Sequence, residues 1–213
     1  MRSIDLSKLL VLTSLIVTPI NVLANSTNTK TETVIAAAEV AKDYSIDPDH
    51  SKVSFEVAHL VISSVTGEFK KFKGNFKFNP EDFSQTQLEA TAEINSIDTS
   101  VKKRDDHLKS PDFFDAKKFP VMTFKSTGAK KTGDKTFELT GDMTIKGTSK
   151  PVTFKVTHNG QIKDKTKVLQ AFKAVAEINR KDFGVNFQAV VEAGPVVGDT
   201  VTINIACEGT RKP

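Results

Sequence analysis

Four consecutive residues, Arg104, Asp105, Asp106 and His107, invite a catalytic reading. Adjacent carboxylates beside an Arg and a His perturb one another's proton affinity, which is what acid–base chemistry needs. The helical composition of 102–109 works against convergence, because consecutive residues on a helix point in different directions. Two other uses stay open. Asp105 or Asp106 could tie down the loop while Arg104 pairs with a carboxylate. Arg104 or His107 could instead meet the polar group of a ligand, such as a carbonyl or a phosphate, at the mouth of a cavity.

The remaining reactive residues are sparse. His50, His59, His107 and His158 show neither i, i+4 nor His-x-His spacing, and no Cys stands near them, so spacing points to no metal site. His59 and His158 fall at the ends of expected strands and join Arg104 and His107 as candidates for a mouth. Cys207 is the only cysteine, which excludes an internal disulfide. It lies in phase with Val201, Ile203 and Ile205 and reads as a small apolar residue. A G-x-S-x-G elbow, a P-loop and a dinucleotide fingerprint are all absent, so no catalytic residues are assigned.

The elements that must position these groups alternate with period two. Val53, Phe55 and Val57 face one way. Phe72, Gly74, Phe76 and Phe78 share a side opposite Lys71, Lys73, Asn75 and Lys77. Further rows are Leu88 to Ile94, Met122 and Phe124, Phe137 to Ile145, Val152 to Val156, Val168 to Ile178 and Val201 to Cys207. A first strand around Tyr44 and Ile46 brings the expected count to eight or nine. Turns are expected at Asn79-Pro80, Thr132-Gly133-Asp134, Gly147-Thr148 and Asn159-Gly160. One apolar face per strand implies an antiparallel sheet, and so many strands without long helices imply a sandwich or a barrel. The predicted fold class is therefore all-β, an extended antiparallel barrel of about eight strands with a short helical insert near 101–117. Within that insert Ser110-Pro111 has the composition of a helix start.

The chain ends and the charge set the address. Arg2 and Lys8, the apolar run Leu9 to Val17, Pro19 and Val22-Leu23-Ala24 form the pattern of a secretory signal peptide cut after Ala24. Residues 1–24 are thus expected to be a signal peptide, 25–42 a polar leader and 43–213 one β-domain. Net charge is +4, and cleavage would remove two cations and one anion. That mild, mixed balance gives little support to nucleic-acid binding and leaves room for transient contact with an anionic membrane surface.

The aromatic choice is lopsided: 15 Phe, one Tyr and no Trp. Buried Tyr and Trp bring a hydrogen-bonding tip, whereas Phe brings apolar area alone. An interior of Phe with adaptable Met suits a flexible hydrocarbon tail, although an ordinary packed core has the same composition. The tunnel-lining candidates are Phe55, Val57, Phe69, Phe76, Phe78, Ile94, Phe113, Phe114, Met122, Phe124, Met143, Phe154, Phe172, Phe183 and Phe187. Arg180 is expected to be an ion-pair anchor, with Phe183 and Phe187 packing inside.

In order along the chain, several short runs resemble the YceI-like, polyisoprenoid-binding, lipocalin-like family. They begin with Tyr44-Ser45-Ile46-Asp47-Pro48-Asp49-His50-Ser51, Val53-Ser54-Phe55, His59, Gly67-Glu68-Phe69, Phe72-Lys73-Gly74 and Ile97-Asp98-Thr99. The most specific stretch runs from Arg104-Asp105-Asp106-His107-Leu108 through Phe113-Phe114-Asp115 and Phe119-Pro120 to Thr123-Phe124. Gly141 to Gly147, Lys150-Pro151-Val152 and Asn179 to Gly184 follow. The resemblance covers roughly Asp43 to Glu208. It implies a barrel with a long apolar tunnel, periplasmic secretion, binding of isoprenoid or fatty-acyl chains, often a dimer, and no established catalytic residues. The expected ligand is an amphipathic long-chain lipid, isoprenoid or quinone-like, with no separate cofactor. A lipid-modifying or hydrolytic enzyme at Arg104, Asp105 and His107, and a stress-linked structural domain with a filled core, are the alternatives.

Overall fold

The computed structural model describes residues 39–60, 62–191 and 194–213. The expected signal peptide and leader lie outside them, apart from residues 39–42. The alternating rows form β1 (Lys42–Ile46), β2 (Lys52–His59), β3 (Ser63–Phe69) and β4 (Phe72–Phe78). After these come β5 (Gln87–Glu93) and the two-residue β6 (Ile97–Asp98). The insert with helix α1 (Lys102–Lys109) follows. Then come β7 (Val121–Lys131), β8 (Thr136–Ile145), β9 (Thr148–Lys163) and β10 (Val168–Asn179). A small hairpin, β11 (Val190–Val191) with β12 (Gly194–Pro195), precedes the last long strand, β13 (Val197–Arg211).

All main pairings are antiparallel, in the order β1-β4-β5-β7-β8-β9-β10-β13. β13 returns to β1 through Ser45↔Thr210 and Ile46↔Gly209, which closes an eight-stranded barrel. β2 continues from β1 after a single 3-10 turn at Pro48–His50, pairing with β13 on one side and β3 on the other. β3 in turn holds β6 through Glu68↔Asp98 and Phe69↔Ile97. Three positions around the barrel are therefore built from two segments in line, which lengthens it. Closure removes the free edges that an open sheet of these strands would present.

Phe rings dominate the interior. Tyr44, Phe76, Phe78, Phe83, Phe137, Phe154 and Phe172 belong to one buried cluster that runs through the barrel. A smaller cluster of Phe69, Ala92, Ile94, Ile97 and Ala116 packs under the insert. Gly209 has no Cβ because the Phe76 ring occupies that space, so the close approach of β13 to β4 across the barrel needs a glycine there.

Two expected features differ. The Asn159-Gly160 pair makes no turn: β9 runs on to Lys163, and the register shift opposite Ala171/Phe172 absorbs the irregularity as a bulge. The reversal comes later, where the Asp164 carboxylate accepts from the Thr166 and Lys167 N–H groups. The Ser110-Pro111 helix start is also absent. α1 ends at Lys109, and the Ser110 carbonyl accepts from Phe113 N (3.1 Å) and Asp115 N (2.9 Å) in a run of turns.

Candidate functional site

The closed barrel surrounds a cavity of about 260 Å³. Its wall is set by strand alternation, with apolar side chains inward and polar ones outward. Ile203, Ile205 and Cys207 of β13 face Phe124, Met143 and Phe154 from the other side of the ring. Leu108, Phe113 and Phe114 of the insert reach the cavity at one end. Of the fifteen tunnel candidates, all but Phe78, Ile94 and Phe187 line this space.

The three exceptions have definite places. Phe78 is fully buried in the plug at the other end of the barrel, with ring centroids 5.6 Å from Phe83 and 4.8 Å from Phe172. Ile94 is in the 3-10 turn Ile94–Ser96 and packs in the small cluster under the insert. Phe187 lies outside the cavity, on Phe113.

The polar plug was not legible beforehand. Gln170 is fully buried, and it donates to the Tyr44 hydroxyl (3.1 Å) and to Gln161 (2.6 Å). Its carbonyl oxygen meets His158 Nε2 at 2.8 Å. The His158 ring packs between Phe78 and Phe172, with centroids 4.9 and 5.2 Å away. His158 is thus in mid-strand inside the sealed end, not at a mouth. His59 does end β2, where its carbonyl accepts from the Ser63 hydroxyl, and it does not line the cavity.

The four-residue cluster does not converge. Asp105 is buried and accepts from Thr99 N at 2.9 Å and from the Thr99 hydroxyl. Arg104 donates from Nε to the Thr99 hydroxyl (2.8 Å) and from Nη2 to its carbonyl (2.7 Å). Arg104 therefore pairs with Thr99 and not with a carboxylate. Asp106 points to solvent and pairs with Lys102 at 2.6 Å. His107 is exposed and meets Asp112 at 2.8 Å, with its ring edge-on to Phe113 and Phe187. Arg104 and Asp105 fix the chain entering α1, while His107 stands on the outer side of the end formed by the insert.

Arg180 anchors more than an ion pair. It is buried, and all five of its N–H donors are used. Nε donates to Gly198 O (2.8 Å), Nη1 to Val185 O (2.7 Å) and Phe187 O (2.8 Å), and Nη2 to Val197 O (3.3 Å) and Asp199 Oδ1 (3.1 Å). Lys181, and then Arg180, hold the Asp199 carboxyl below its ordinary value. The left-handed Gly184 (φ 74°) turns the chain so that 185–187 can be gripped.

Among the described residues, one group at the barrel surface brings together atoms that could hold a metal ion. Donor atoms of Asp47, His50 and Glu208 lie within 4.8 Å of one another, with His50 exposed. Sequence spacing missed it because Glu208 comes from β13. The Asp47–His50 hydrogen bond (2.9 Å) lowers the Asp47 pKa and raises that of His50.

A closed antiparallel barrel with an apolar interior and a capping insert defines a small container. The family model for the YceI-like domain matches residues 44–209, and the chain belongs to that family. Curated relatives include a UPF0312 protein of Pseudomonas putida, 36% identical over 181 residues, covering 83% of this chain and 91% of that protein. Protein YceI of Escherichia coli O157:H7 is 37% identical over 180 residues, with the same coverage. Among solved structures, Burkholderia cenocepacia BcnA matches with a TM-score of 0.65 and 30% identity, over 76% of this chain and 98% of that one. A polyisoprenoid binding domain from Saccharophagus degradans, at 15% identity, has a TM-score of 0.57 over 80% of this chain and 98% of that one, and shares the fold.

Proposed function

We propose that this protein is a secreted periplasmic carrier or sequestering protein that encloses an isoprenoid, isoprenoid-quinone or fatty-acyl chain. The observation that carries this reading is the apolar cavity itself. A packed structural core leaves few voids larger than a water molecule, whereas this barrel leaves about 260 Å³ among its inward rows. Hydrocarbon transfer from water contributes ~0.8 kcal/mol per methylene, so a few prenyl units are enough for firm binding. The volume is just under the ~300–1,000 Å³ usual for ligand pockets. Met122 and Met143 on the wall are the side chains best able to adapt to a larger guest.

Secretion rests on the signal-peptide pattern ending at Ala24. A non-enzymatic role is supported by the use already made of the reactive cluster, since Asp105 and Arg104 are both engaged with Thr99. A homodimer and transient contact with membrane surfaces complete the proposal. The test is native mass spectrometry of protein expressed with its full leader, followed by organic extraction. One lipid per barrel is the expected result. An empty protein that also fails to bind prenyl alcohols overturns the carrier reading.

A further inference from the structure

The polar groups on the cavity wall lead to a statement about what the cavity recognises. We infer that it binds only the hydrocarbon tail, inserted tail-first from the insert end, and leaves the head group outside. This inference rests on the carrier reading above. Ser54, Lys73, Thr91 and Thr123 alternate with inward apolar neighbours and so direct their side chains away from the interior. The polar residues left on the inner side are Thr86, Arg180 and Cys207.

None of the three offers a head group a strong donor. The Thr86 hydroxyl donates to Phe83 O at 2.7 Å. Arg180 has no N–H left over. The Cys207 thiol lines the cavity as a small, weakly hydrogen-bonding group, too poor a donor to recognise a carbonyl or a phosphate. Among the described residues, every side-chain N or O atom sealed away inside the protein has a hydrogen-bond partner. A site built to recognise a carbonyl or phosphate inside would aim strong donors into the cavity, and those of Thr86 and Arg180 are already spent on the protein's own carbonyls and on Asp199.

The two ends are unequal. Fully buried Gln170 and Phe78, with His158 between aromatic rings, seal one end with a hydrogen-bonded plug. The other end is roofed by Phe113 and Phe114 of the insert and by Val185, whose strand-free segment 185–189 is held by Arg180 and the Phe187–Phe113 contact. The barrel wall between them is closed by strand hydrogen bonds. A chain therefore enters under the roof, stops at the plug, and keeps its head near the exposed His107 and Asp112. Affinity follows tail length up to the depth of the cavity and is nearly blind to the head.

Displacement of cis-parinaric acid from the purified protein tests this in two series. Farnesol, farnesoic acid and farnesyl phosphate share a tail and differ in head group; their inhibition constants should agree within about threefold. A site built to hydrogen-bond the head would separate them by about a hundredfold or more, and that result overturns the inference. In the second series, geraniol, farnesol, geranylgeraniol and solanesol share a head. Affinity should rise by about tenfold or more over the early steps and then stop rising. A continued rise through solanesol overturns the plugged end. Failure of every compound to bind overturns the carrier reading itself, which distinguishes the two claims.

Discussion

Phe187 packs on Phe113 with ring centroids 4.7 Å apart and planes tilted by 34°, and this contact joins the strand-free 185–189 segment to the insert that roofs the cavity. An aromatic pair of this kind is worth about 0.5–1.5 kcal/mol beyond its area. Phe187→Ala should therefore lower unfolding free energy modestly, by about 1–2 kcal/mol, because Phe187 is only half-buried. Its larger effect should be kinetic. Stopped-flow release of cis-parinaric acid should be several-fold faster than from the unchanged protein. An unchanged release rate would place the route elsewhere.

Arg180 holds the same segment from beneath. Removing one partner from a buried charged network costs about 3–5 kcal/mol. Arg180→Ala leaves the Val185 and Phe187 carbonyls without their donor, and urea denaturation should show a loss in that range. Arg180→Lys keeps the charge but cannot form the planar five-donor fork, so it should recover only part of the loss. Full rescue by Lys would mean that the ion pair with Asp199, and not the carbonyl contacts, carries the stability.

The insert separates structural from surface roles within four residues. Asp105→Ala strands the buried Thr99 N–H and hydroxyl, and should cost about 1–3 kcal/mol by chemical denaturation. His107→Ala removes an exposed contact with Asp112 and should change stability by less than about 1 kcal/mol, with the affinity for farnesol kept. If His107→Ala abolished a measurable turnover of a lipid substrate, the enzymatic reading would return.

The fold was legible where one face of a strand is apolar and the other is not. The Phe72–Phe78 and Phe137–Ile145 rows read directly as wall, and the Cys207 phase read as inward. What stayed hidden was fixed by bonds to the main chain or across the ring. Arg180 grips four carbonyls, which carry no residue signature. Arg104 and Asp105 both close on Thr99, so neither charge reveals its partner by spacing. Gln170 sits inward in an apolar row because Tyr44, Gln161 and His158 meet it from other strands. The expected turn at Asn159-Gly160 failed because a bulge can absorb a glycine inside a strand as readily as a turn can use it.

The Asp47–His50 pair makes a pH prediction at the barrel surface. The hydrogen bond to His50 lowers the Asp47 pKa, so that part of the pair's contribution is present above the ordinary Asp range and is lost as pH falls through the depressed folded value. The same bond, together with the charges of Asp47 and Glu208, raises His50. Its contribution is full below about pH 6.5 and fades as pH rises through the raised folded value. NMR titration of the His50 ring should give a pKa above 6.5. Asp47→Asn should bring it most of the way back. A value that stays raised in that variant would assign the effect to Glu208.

Cys207 offers a reporter of occupancy. Burial pushes its thiol up to about 11, and the neighbouring Glu208 charge acts in the same direction. The folded value exceeds the unfolded one, so the associated stability is full below the ordinary thiol range and is lost as pH rises through about 11. At pH 8 the thiolate fraction is then on the order of a hundredfold smaller than for an unshifted thiol. N-ethylmaleimide should modify Cys207 about that much more slowly than it modifies glutathione. Because Cys207 lines the cavity, a bound farnesol chain should cover the sulfur and slow the reaction further. Equal rates with and without farnesol, at concentrations that displace cis-parinaric acid, would place the bound chain away from β13.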